Sequence, residues 1–64
     1  MLEKYLKKHR LNHNLTQSEM AKKLGTSQSY YSQLETGRKK PGFQMVNKIA
    51  KVLKVQASVI RELL

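Results

Sequence analysis

Apolar side chains recur along this chain mainly at intervals of three and four, the spacing of one face of a helix. Leu2, Tyr5, Leu6, Arg10 and His13 share one such stripe and predict a first helix over 2–12, with Asn14 as its stop because Asn tolerates the left-handed conformation. Thr16-Gln17-Ser18-Glu19 has the form of a capping box, opening a second helix over 17–24 with Met20, Ala21 and Leu24 inward and Gly25 as its end. Ser27 is an N-cap for a third helix over 28–36, with Tyr31 and Leu34 inward and Gly37 as the stop. Arg38-Lys39-Lys40-Pro41 reads as a loop, since proline blocks helix continuation. Phe43, Val46, Ile49, Ala50 and Leu53 form the clearest amphipathic stripe and predict a helix over 43–54. A last helix over 57–63 presents Ile60 and Leu63. The fold class expected is all-α: five short helices around one core, residues 1–64 forming a single domain.

Composition narrows the function. The 64 residues contain no cysteine, so neither disulfides nor thiolate metal sites stabilise the core. There is no aspartate and there are only four glutamates and two histidines, a poor supply of catalytic groups, and an enzyme is not expected. His9 and His13 lie one helical turn apart, but no third metal ligand accompanies them, so neither metal nor cofactor is expected. Nor does any feature call for a small-molecule substrate. No apolar run approaches the ~20 residues of a membrane span, and no continuous apolar segment follows Met1-Leu2-Glu3-Lys4 to make a secretory signal. The expected location is cytoplasmic, at the nucleoid.

Charge then points to a partner. Thirteen Lys and Arg against four Glu give +9, which implies an anionic partner, nucleic acid first. The surplus is uneven. Residues 1–15 carry Lys4, Lys7, Lys8 and Arg10 against Glu3, a net +3; residues 36–54 carry Arg38, Lys39, Lys40, Lys48, Lys51 and Lys54 unopposed, a net +6. Residues 16–35 and 55–64 are each neutral. Two basic segments flanking a neutral middle suit positioning charges placed around a surface that reads by hydrogen bonds.

That middle is two short helices joined by Gly25-Thr26-Ser27, a turn that forces an abrupt crossing, with small Ala21 where the helices come closest. Residues 17–36 thus have the helix-turn-helix arrangement. Together with Leu34-Glu35-Thr36-Gly37-Arg38-Lys39-Lys40-Pro41 and Ile49-Ala50-Lys51-Val52-Leu53, the chain resembles the Cro/repressor (Xre-like) family of DNA-binding domains over essentially residues 2–61. The likeness is nearest to lambdoid phage repressors and Cro proteins. It implies an internal pair between Arg10 and Glu35 at matching positions. Three positions depart from the pattern: Tyr31 stands where the family usually has a β-branched residue or Leu, Lys54 where it often has Gly, and Gln56 where it has Ser, Thr or Asp. The last departure leaves the final helix poorly capped.

On a helix over 28–36, Gln28, Ser29, Ser32, Gln33 and Thr36 share the outward side and none is charged. Carboxamides pair bidentately with the N6/N7 edge of adenine in the major groove. The resemblance implies base contacts at Gln28, Ser29 and Gln33, and Ser32 adjoins them. Phosphate contacts are expected from Thr16 and Gln17 at a helix N-terminus, from Tyr30, and from Thr36, Arg38, Lys39 and Lys40 after the reading helix. The function expected is a sequence-specific regulator of transcription, acting as a repressor, bound to double-stranded DNA as a homodimer on a pseudo-palindromic operator. Competing readings are a protein-interaction module on the same fold, of antitoxin or coactivator type, a cationic helix set on a membrane surface, and non-specific nucleic-acid compaction.

Overall fold

The computed structural model describes all 64 residues as five helices: α1 Leu2–Asn12, α2 Gln17–Leu24, α3 Gln28–Glu35, α4 Phe43–Leu53 and α5 Ala57–Glu62. Each of the last three helices stops one residue short of the extent expected from its pattern. No helix is long and apolar enough to cross a membrane.

The first four helices end alike. One residue turns left-handed, and the amide after it returns to a carbonyl five residues back. The turning residues are Asn14 (φ 54°), Gly25 (φ 67°), Gly37 (φ 79°) and Lys54 (φ 58°). The returning bonds are Leu15 to Arg10 (2.9 Å), Thr26 to Ala21 (3.0 Å), Arg38 to Gln33 (2.9 Å) and Val55 to Ala50 (3.0 Å). At Gly37 the dihedral disfavours a side chain, and a Cβ there would stand 3.0 Å from Glu3 Oε2, so Glu3 would have to shift. Lys54 is the exception to residue preference, since it takes the left-handed conformation with a Cβ in place. Lys54→Gly is expected to stabilise the domain by ~1 kcal/mol and to raise its melting temperature by about 4–8 °C. A thermal melt followed by circular dichroism tests this; an unchanged or lower midpoint contradicts it.

The expected N-caps of α2 and α3 are formed. Thr16 Oγ1 accepts from the Glu19 amide (3.0 Å), and Glu19 Oε1 accepts from the Thr16 amide (2.8 Å). Ser27 Oγ accepts from the Tyr30 amide (3.1 Å). Gly42 and Gln56 open α4 and α5 with no side-chain cap.

Each helix gives its stripe to one core: Leu2 and Leu6 from α1, Met20, Ala21 and Leu24 from α2, Tyr31 and Leu34 from α3, Val46, Ile49 and Ala50 from α4, and Ile60 from α5. Phe43 overturns the expectation that it joins them, for it is 76% exposed. It holds the right angular position but is the first residue of α4, and the neighbouring helices do not extend beneath it. Pro41, just upstream, is buried instead. At the far end of the α1 stripe, His13 lies beyond the helix and is exposed.

Candidate nucleic-acid interface

The sharp α2–α3 crossing turns the uncharged side of α3 outward. Gln28 and Ser29 are exposed, and Ser32 and Gln33 are half-buried. With Gln17, Thr36 and Arg38 they line a shallow groove of about 620 Å³ that contains no hydrophobic residue. Seven of the residues expected to touch DNA therefore converge on one surface.

The other four do not line it. Thr16 is occupied in the capping box, although its hydroxyl accepts there and keeps its own hydrogen free. The first-turn amides of Gln17 and Ser18 have no intrahelical partner, so this end of α2 retains two donors. Tyr30 is half-buried against the core and lies beside Phe43, Met45 and Lys48. Lys39 and Lys40 are exposed, but they edge a different hollow, with Met1, Leu2, Pro41 and Leu63. Thr36 reaches the groove in a different role from the one expected. Its hydroxyl donates to the Ser32 carbonyl (3.0 Å), with the Gln33 carbonyl at 3.3 Å, so its only side-chain hydrogen is used inside the protein. It faces the groove as an acceptor, the wrong polarity for phosphate.

Behind the groove sits a buried carboxylate. Glu35 accepts from Arg10 Nε (2.8 Å) on one oxygen and from Arg10 Nη2 (3.0 Å) on the other, a bidentate pair. Tyr31 adds its hydroxyl (2.6 Å) and Gln17 its Nε2 (3.2 Å). Arg10 also donates from Nη1 to the Leu15 carbonyl (2.9 Å), which ties α1 to the chain entering α2. The Glu35 side chain is only 4% exposed and that of Arg10 12%, and no buried side-chain polar atom lacks a partner. Burial alone would raise the Glu35 carboxyl, but hydrogen bonds from Arg10, Tyr31 and Gln17 and the charge of Arg10 outweigh it and hold the group at about 2. Burial, then the bond to Glu35, pushes the Tyr31 hydroxyl above its ordinary value, so it remains a donor.

The sequence expectation included the Arg10–Glu35 pair but not the Tyr31 and Gln17 bonds. Tyr31 and Glu35 stand one helical turn apart, a spacing that could have revealed the first. The second depends on how α2 crosses α3. Because an ionised carboxylate only accepts, the Gln17 amide must turn its nitrogen toward Glu35. Its carbonyl oxygen and second Nε2 hydrogen are left for the groove. Gln17 thereby joins the buried network to the exposed surface.

The model of the helix-turn-helix family matches residues 6–60. The chain is 40% identical over 53 residues to the uncharacterized HTH-type transcriptional regulator YqaF of Bacillus subtilis, a match covering 83% of this chain and 70% of that protein. It is 43% identical over 51 residues to an uncharacterized HTH-type transcriptional regulator of Methanocaldococcus jannaschii, covering 80% and 77%. It is 36% identical over 56 residues to the ImmF control region 10 kDa protein of Bacillus phage phi105, covering 88% and 62%. No solved structure matches the chain.

Proposed function

The chain belongs to the helix-turn-helix family of transcriptional regulators, and from that premise we propose that it represses transcription at the nucleoid by reading the major groove of a pseudo-palindromic operator as a homodimer. The observation that carries this reading is the groove itself. Two carboxamides and two hydroxyls of α3 share a surface that no hydrophobic residue lines, and Arg38 brings it a positive charge. Gln28 and Gln33 are the base readers, each able to pair bidentately with adenine. Ser29 and Ser32 assist them. Arg38, the free amides at the start of α2 and the second Nε2 hydrogen of Gln17 hold the phosphates, while Thr16, Tyr30, Lys39 and Lys40 supply the surround. The Arg10–Glu35 pair is structural and sets the angle of α3.

Two copies serve the reading better than one. An eight-residue helix buries too little surface for tight specific binding alone. The domain measures 26 × 21 × 20 Å. Two such bodies related by a two-fold axis can present their α3 helices about one turn of DNA (~34 Å) apart, the spacing of paired half-sites. Selection from a pool of random duplexes tests the reading. A two-fold symmetric motif is expected, bound by two protomers. Enrichment of no sequence, with binding that depends only on salt, overturns it.

A further inference from the structure

A second cleft, of about 430 Å³, lies between the end of α1, the last turn of α2 and the last turn of α4. It shares no residue with the groove on α3. Half-buried Leu15, Val52 and Leu53 form its apolar floor. Its rim is His9, His13, Lys23 and Lys54, and no carboxylate lines it.

The rim is arranged for an anion. The two imidazoles stack with centroids 4.1 Å apart and a 31° tilt. His13 Nδ1 lies 2.9 Å from the His9 carbonyl, which can only accept, so Nδ1 carries the hydrogen. His13 Nε2 therefore lies outside that bond and is left without a partner in the chain. His9 sits below its ordinary value through burial, then through the charges of His13 and Lys23. An anion would offset those charges. Two imidazoles one turn apart could otherwise hold a transition metal, but no third ligand joins them and the two lysines repel a cation.

Lys54 supplies an independent observation. Its backbone is left-handed although glycine would adopt that conformation without strain. Its backbone closes the end of α4, but its side chain makes no hydrogen bond or ion pair within the chain, so the lysine itself adds nothing to the fold that glycine would not. Backbone strain of this kind gathers where a side chain has work outside the fold.

We propose that this cleft binds a small phosphate monoester with an apolar body, its phosphate held by Lys23, Lys54 and the two imidazoles and its body resting on Leu15, Val52 and Leu53. A dianion matches the rim better than a monocarboxylate, because two lysines and two protonatable rings face one opening. The test is titration of the whole chain with phenyl phosphate at constant ionic strength, followed by NMR of the histidine rings, with inorganic phosphate and benzoate as parallel probes. Phenyl phosphate should shift both rings saturably and move the His9 midpoint upward. It should bind about tenfold more tightly than either of the other probes, since only it engages both rim and floor. Combining Lys23→Gln with Lys54→Gly should abolish the shifts while the thermal melt stays cooperative. The proposal falls if no probe gives a saturable shift, if the double substitution leaves the shifts intact, or if the three probes bind alike. Duplex binding by the same variants is measured separately, so failure here and failure of the DNA reading are distinguishable.

Discussion

Glu35→Ala is expected to leave a chain that no longer holds its fold at room temperature. The substitution strips the partner from a guanidinium that is 12% exposed. It also orphans the Tyr31 hydroxyl and the Gln17 amide at the same point. Breaking one half of a buried ion pair costs roughly 3–5 kcal/mol. A domain of this size has ~5 kcal/mol in all. Urea and thermal unfolding followed by circular dichroism measure the loss; a melting curve unchanged within error contradicts the assignment. Replacing both Arg10 and Glu35 by methionine should be far milder, since no charge is then left buried alone.

Acid titration reads the same group in the unaltered protein. The Glu35 carboxyl titrates at about 2 in the folded chain against an ordinary 4.5. Its ionised form therefore adds about 3 kcal/mol of stability. That contribution is complete above the ordinary value of 4.5 and drains away as pH falls toward 2. The variant with methionine at both Arg10 and Glu35 should show a correspondingly flatter dependence over that window.

Gln28→Ala combined with Gln33→Ala is expected to abolish sequence preference while leaving the protein folded. Both side chains lie on the groove, and neither contributes to the hydrophobic core. Each good bidentate pair discriminates by roughly 1–3 kcal/mol, so the double variant should lose about 30- to 20,000-fold in affinity for its selected operator. Its melting temperature, its affinity for random duplex and the salt dependence of that affinity should hardly change. Arg38→Ala should behave oppositely, weakening all sequences alike and reducing the salt slope by ~1. Retained discrimination in the double variant would remove α3 as the reader.

Much of this arrangement is legible in the sequence because it rests on local chemistry. Asn14, Gly25 and Gly37 mark helix ends by residue type alone, and the Thr16 and Ser27 caps follow from spacing within a single turn. Lys54 stands out only against the family's frequent Gly; by itself lysine extends a helix, so the pattern runs one residue past the true end. Periodicity also assigns Phe43 to the correct angular face without saying how far the neighbouring helices reach, and it is that reach which decides burial. The outward side of α3 follows from its inward side. The separation of Arg38 from Lys39 and Lys40 does not, since it depends on the path of the loop in space. Gln17 is the clearest case. Its place at a helix start suggests an anion contact, but its bond to Glu35 exists only through the packing of three helices.

The absence of any hydrophobic side chain from the groove on α3 carries a thermodynamic consequence. A duplex seated there covers amide and hydroxyl groups together with their carbon stems, so association would show a smaller negative heat-capacity change than a wholly apolar joint of the same area. Ordered solvent would stay between amide and base edge as part of the contact. Fit between groove and base edges would then be adjusted by the placement of water molecules, which can rearrange where a rigid apolar joint could not.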